Sequence, residues 1–125
     1  MIHTAILCIG SNAEPREKRI AEALGRLKEI ATVTRSSTIA ESDDVTGRGA
    51  PYLNVVVECA VALEYKELLT RVGEIEKAGG RTEERSRIGI VDIDIDPVIW
   101  DWSIVSASDY RSSYFRSLYG QVRRD

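Results

Sequence analysis

Apolar positions along this chain switch between two spacings. Ala5-Ile6-Leu7-Cys8-Ile9 is a continuous apolar run, as expected of a strand covered on both faces. Ile20, Ala23, Leu24, Leu27 and Ile30 then recur at helical spacing, with Arg16, Lys18, Arg19, Glu22 and Lys28 on the other side, so the spacing predicts an amphipathic helix. Gly10-Ser11-Asn12 forms a polar turn able to cap it, and Pro15 stands where a first helical turn tolerates proline. The β-branched stretch Thr32 to Ile39 predicts a second strand. Tyr52 to Leu63, rich in valine, predicts a third. Between them Glu41 to Pro51 lacks either period and reads as a surface loop able to close over a ligand. Tyr65, Leu68, Leu69, Val72 and Ile75 mark a second helix that must stop at Gly79-Gly80.

The alternating segment Asp92-Ile93-Asp94-Ile95-Asp96 predicts a fourth strand with three aspartates on one face. Tyr110, Tyr114, Phe115, Leu118 and Tyr119 suggest a last short helix or an aromatic-rich tail. The order β-α-β-β-α-β predicts an α+β, ferredoxin-like domain, a mostly antiparallel sheet with two helices on one face. The expected unit is a single domain over 1–125, with 101–125 as a C-terminal segment.

Composition narrows the partners. Net charge is −3, which gives no general attraction to nucleic acid or to an anionic membrane, so an anion must be captured by local clustering. No stretch approaches a membrane span and no leader is evident, so the expected place is the cytoplasm. Cys8 and Cys59, inside apolar runs, read as reduced core residues, with a disulfide between neighbouring strands as the minor alternative.

Aspartate forms strands poorly, so a carboxylate-bearing strand calls for a reason. One is a hard cation: Mg²⁺ is commonly held by one or two carboxylates together with substrate phosphates. The other is a half-buried edge strand with a charged outer face. Arg81, Arg85 and Arg87 lie just upstream, where guanidinium groups would bind phosphate or simply pair with Glu83, Glu84 and the aspartates. Glu76 borders the apolar stripe of the second helix and would either bond the adjoining backbone or reach a nucleotide. Tyr52 and Asn54 share a strand face, placing a ring and a carboxamide together for a flat heterocycle. His3 has no partner in sequence and reads as surface decoration.

Taken in order, Ile9-Gly10-Ser11-Asn12, Tyr52-Leu53-Asn54-Val55, Ile75-Glu76 with Gly80-Arg81, and Gly89 before Asp94-Ile95-Asp96 resemble the 6-hydroxymethyl-7,8-dihydropterin pyrophosphokinases over roughly residues 4 to 100. The resemblance implies Mg²⁺-dependent transfer of pyrophosphate from ATP to a reduced pterin alcohol in folate biosynthesis. It implies two Mg²⁺ ions on Asp94 and Asp96, and a pterin held by Tyr52, Asn54 and the loop Ser42, Asp43, Asp44 and Val45, with Phe115 or Tyr114 as a second ring. It also implies that Arg81 faces the phosphates as a catalytic cation; beside it, Glu76 and Arg85 are expected at the nucleotide and Arg87 as a second catalytic cation. Where the family usually carries Gly-Pro-Arg-Thr, this chain has Gly89-Ile90-Val91-Asp92, and Glu83 replaces a second arginine. Arg85 and Arg87 are the expected substitutes. The rival readings are a family member that binds nucleotide or pterin without reaction, and an RNA-binding module of the same sheet architecture. The expected assembly is a monomer or a small homo-oligomer.

Overall fold

The computed structural model describes residues 1–123. Residues 124 and 125 of the expected domain and C-terminal segment lie outside the described residues. The elements are β1 (His3–Ser11), α1 (Arg16–Leu27), β2 (Thr32–Ser36), β3 (Ala40–Ser42), β4 (Tyr52–Val61), α2 (Tyr65–Ala78), α3 (Glu83–Arg87), β5 (Asp94–Trp100), β6 (Ser103–Ile104), α4 (Ala107–Arg111) and α5 (Ser113–Tyr119). The sheet runs β2-β4-β1-β5-β6, with β3 also on β4, and every pairing is antiparallel. This is the ferredoxin-like order read from the sequence, with β1 in the middle.

The expected second strand is divided. β2 pairs with the far half of β4 and β3 with its near half. Between them Ser37 keeps the edge joined, because its N–H donates to Val56 O and its Oγ accepts from Val56 N, both at 2.9 Å. The side chain thus replaces a strand carbonyl at the break.

Strand alternation sorts the core into two layers. On one face Leu7, Ile9, Val55, Val57, Ile93 and Ile95 pack against Ile20 and Leu27 of α1 and Leu68, Val72 and Ile75 of α2. On the other, Ile6, Cys8, Val56, Val98 and Ile99 meet Phe115, Leu118 and Val122. The C-terminal segment is therefore a second helical layer, which covers the face that an RNA-binding sheet would need to expose. Cys8 and Cys59 fall in opposite layers and are free thiols. In β5 the register on β1 slips, Leu7 facing Pro97 but Ile6 facing Ile99. The extra residue lets Val98 and Ile99 both enter the second layer.

Helix ends follow local chemistry. Glu64 and Glu67 form a reciprocal capping box at the start of α2. At α1 it is Glu14 Oε1 that accepts from the first-turn N–H of Arg16, at 3.2 Å, so Gly10-Ser11-Asn12 is not a cap. Asn12 is engaged elsewhere, as described below. The turn between β5 and β6 places Asp101 and Trp102 at φ 47° and 68°, the left-handed pair a two-residue hairpin requires. Asp101 secures it, its carboxylate accepting from Thr4 N at 2.9 Å and bonding His3 Nδ1 at 2.6 Å.

His3 is thus not surface decoration: it is 7% exposed, its ring lies 4.6 Å from that of Trp100, and Glu64 lies 3.4 Å from its Nε2. The hydrogen bond to Asp101 raises the His3 pKa above its ordinary value, with Glu64 adding to the rise and partial burial opposing it. A raised folded-state pKa means that stability from this contact is full below the ordinary histidine value and is lost as pH rises through the raised one. His3→Gln is expected to flatten the fall in melting temperature across that window, read by thermal scans in steps of pH. Phe115, fully buried between Tyr110 and Tyr119, anchors the second layer. Phe115→Ala is expected to cost ~3–5 kcal/mol in denaturant unfolding.

Candidate active site

The site grows out of the neighbours of β1. Gly10 faces Asn54 on β4 and Asp94 on β5, and Cys8 faces Val56 and Asp96. Period-2 alternation turns Asn54, Asp94 and Asp96 toward the face opposite α1 and α2. Gly10 is required there, because a Cβ at this position would stand 2.9 Å from Asn54 Oδ1. The result is a cavity of about 200 Å³ lined by Cys8, Gly10, Tyr52, Asn54, Asp94 and Asp96 from the sheet, by Ser42 to Thr46 from the loop, and by Asp109 and Tyr114 from the C-terminal helices.

Most residues expected at a heterocycle site therefore meet in one place: Tyr52, Asn54, Ser42, Asp43, Asp44 and Val45. Asn54 is 5% exposed, and its Nδ2 donates to Ser42 Oγ at 2.7 Å. Burial, followed by the charges of Asp44 and Asp94, pushes the Tyr52 phenol up to about 12, so it remains a neutral donor at physiological pH. Asp44 shapes its own loop, accepting from Thr46 N and Thr46 Oγ1 with Oδ1 and from Gly49 N with Oδ2. These bonds hold its carboxyl below the usual carboxylate range, against the opposing effect of burial. Phe115 does not face the cavity; it is buried in the second layer, and the ring that lines the cavity is its neighbour Tyr114.

The aspartate strand divides differently from its alternation. Asp94 and Asp96 line the cavity, but Asp92 lies before β5 begins and is 1% exposed. Arg85 grips it with Nε on Oδ2 and Nη2 on Oδ1, both at 2.8 Å, and Arg19 stands 3.4 Å away. Arg85, expected at the nucleotide, is thus committed to a buried carboxylate. Arg87, expected to be catalytic, pairs at 3.2 Å with the exposed Glu83. Neither arginine lines the cavity.

Arg81 is the arginine that does reach the aspartate strand. Its Nη1 donates to Asp94 Oδ1 at 2.8 Å and to Glu76 Oε2 at 2.9 Å. The same Glu76 oxygen accepts from Ile95 N at 2.9 Å, which ties α2 to β5. Burial raises the Glu76 pKa, opposed by the Ile95 bond and by Arg81. Beyond this knot lies a shallower depression of about 380 Å³, lined by Gly73, Glu76, Lys77, Arg81, Thr82, Glu83 and Ser86. The Arg81–Asp94 pair stands between the two.

Burial first, then the charge of Asp94, pushes the Asp96 carboxyl far above the ordinary carboxylate range, to about 9. Among the described residues no group of three or more His, Cys, Asp or Glu is placed to hold a metal. A cation at Asp94 and Asp96 would find two carboxylates there and would take most of its shell from other oxygens.

Asn12, expected from the sequence in a polar turn able to cap a helix, is instead a tie between the loops beside the site. It is 6% exposed, its Nδ2 donates to Gly89 O at 2.8 Å and Ala50 O at 3.2 Å, and its Oδ1 accepts from Val91 N at 2.7 Å. One carboxamide therefore joins the end of β1 to the loop over the cavity and to the loop after the arginines. The contact is close enough to need glycine: a Cβ on Gly49 would lie 2.2 Å from Gly89 O, and Gly89 adopts φ +89°. Ser11, preceding Asn12, spends its Oγ on the backbone of Ala13.

Two outcomes follow from this geometry. Asn12→Ala leaves Val91 N and two carbonyls unpaired, so a loss of ~1–3 kcal/mol is expected, together with faster tryptic cleavage after Arg48. In protein without added cation, the raised Asp96 pKa means that the folded state holds a proton the unfolded state has lost, so stability falls as pH climbs from 3.8 toward about 9. Asp96→Asn is expected to abolish that slope in pH-resolved melting curves.

Comparison with known proteins agrees with this geometry. The family described as 7,8-dihydro-6-hydroxymethylpterin-pyrophosphokinase (HPPK) matches residues 6–115. A 2-amino-4-hydroxy-6-hydroxymethyldihydropteridine pyrophosphokinase of Aquifex aeolicus is 32% identical over 104 residues, covering 82% of this chain and 64% of the relative. One of Bacillus subtilis is 38% identical over 87 residues, covering 67% and 52%. A folate synthesis bifunctional protein of Arabidopsis thaliana is 33% identical over 93 residues, covering 73% and 19%. The matches thus span between half and two thirds of the two bacterial relatives. With the sheet order, the Gly10 crossing and the Asp94–Asp96 pair in place, the match over 6–115 shows that the chain belongs to the 7,8-dihydro-6-hydroxymethylpterin-pyrophosphokinase family.

Proposed function

We propose that this domain transfers a pyrophosphoryl group from ATP to 6-hydroxymethyl-7,8-dihydropterin, giving AMP and the pterin diphosphate. The observation that carries the reading is the placement of Arg81 and Asp94 between a ring-lined cavity and a depression bearing Lys77 and Arg81. A transfer between two substrates needs a site for each and compensated charge where they meet. Tyr52, Tyr114 and Asn54 would hold the pterin; Arg81, Lys77 and Glu76 border the space for the triphosphate.

Asp94 and Asp96 suit Mg²⁺, which takes few protein carboxylates and completes its shell with phosphate oxygens and water. When bound, the ions would neutralise the phosphates and acidify the attacking alcohol. Cation binding would also displace the proton that Asp96 holds, so metal affinity is expected to rise with pH. In the transfer, the alcohol oxygen forms a bond to the β-phosphorus as the bond to the α–β bridging oxygen breaks. AMP leaves with that electron pair, and the alcohol proton passes to solvent. Arg81 would stabilise the charge on the phosphates during this exchange.

A second reading, binding of nucleotide or pterin without transfer, is favoured by the engagement of Arg85 with Asp92 and of Arg87 with Glu83. These pairs leave Lys77 and Arg81 as the cations lining the depression. Incubation with ATP, Mg²⁺ and the reduced pterin alcohol separates the two. AMP with a diphosphorylated pterin supports transfer, ADP would mean an ordinary kinase, and retained binding with no turnover would support the second reading. Arg81→Ala is expected to lower kcat more than it raises KM for ATP, with partial recovery in Arg81→Lys; a change in KM alone would assign Arg81 to ground-state binding. Asp94→Asn and Asp96→Asn are each expected to lose the rise in melting temperature that ATP and Mg²⁺ confer together.

A further inference from the structure

We propose that Asp109 is a specificity-determining residue that keeps anionic ring systems out of the heterocycle cavity. The inference rests on the pterin reading above and adds to it which pterins are admitted. The cavity is lined by carboxylates and by no lysine or arginine. Five aspartates line it: Asp44 is spent on Thr46 and Gly49, Asp94 on Arg81, Asp96 is the other carboxylate of the candidate cation pair, and Asp43 stands exposed on the loop. Asp109 is different.

It projects from α4 into the cavity, and among the described residues no cation is paired with it. Its Oδ2 accepts from Ser106 Oγ at 2.7 Å, a bond that fixes its direction without cancelling its charge. α4 is held in turn by Ser112 Oγ, which donates to the Asp109 carbonyl at 2.7 Å. A ring carrying its own carboxylate would meet this fixed charge in a site half shielded from water, where like charges repel strongly; a neutral alcohol would not. Tyr114, on the following helix, lines the same wall, so the stacking surface and the charge come as one unit.

The test compares 6-hydroxymethylpterin with pterin-6-carboxylate by calorimetry, with Mg²⁺ and an α,β-methylene analogue of ATP present. Wild type is expected to bind the carboxylate at least about tenfold more weakly. Asp109→Asn is expected to close most of that gap by strengthening the binding of the carboxylate, and Asp109→Glu, which keeps the charge, to preserve the gap. A ratio unaltered in Asp109→Asn, or equal weakening of both ligands, would overturn the role of Asp109. Wild-type protein that binds neither pterin would overturn the pterin reading itself.

Discussion

The site depends on one strand being paired on both sides at once. β1 lies between β4 and β5, and the residue that faces Asn54 across one ladder faces Asp94 across the other. That residue is Gly10, whose missing Cβ leaves room for the carboxamide. A slip of one residue in either pairing would turn the carboxylates or the carboxamide into the α1/α2 core. The apolar partners Ile9, Val55 and Ile95, all buried on that core side, make such a slip costly. The hydrophobic alternation that builds the core thereby also fixes the polar face.

Charge compensation then decides which parts of the arginine loop serve the fold and which serve the site. Arg85 satisfies Asp92, a carboxylate almost without solvent; removing one partner of such a pair leaves a buried charge alone, a larger loss than the pair's own net contribution. Arg81 is instead shared between Glu76 and Asp94 at the border of two open spaces. Within five residues the same side chain does two jobs, and the difference lies in the burial of its carboxylate.

Periodicity read from the sequence located the four longer strands, the two amphipathic helices and their common face, and pair spacing put Tyr52 beside Asn54 and Asp94 beside Asp96, while only the family resemblance put the two pairs at one site. Those spacings are local, so the sequence carries them. Three of the failures are cases where a distant partner overrides a local pattern. Asp92 follows the alternation yet turns to Arg85 and Arg19. His3 looked isolated because its partners, Asp101 and Glu64, are far along the chain. Asn12 resembled a helix cap, but three backbone groups from remote loops compete for its carboxamide. Phe115 and Tyr114 are adjacent, and only the pitch of α5 on the sheet determines which ring enters the core. Asp109 carried no signal at all, since one aspartate in a polar stretch is what any surface segment offers.

That adjacency in α5 ties one wall of the cavity to the core. Tyr114 forms part of the cavity wall while Phe115 is sunk in the second layer, so lifting this wall would unpack the aromatic core beneath it. The C-terminal side is therefore a fixed wall. The loop wall, Ser42 to Thr46, is held by the Asp44 turn and, through Ala50 further along the loop, by Asn12, and its Val45 is 90% exposed. The two sides of the cavity therefore differ in what moving them would disturb: a packed aromatic core on one, the hydrogen bonds of a single loop turn on the other.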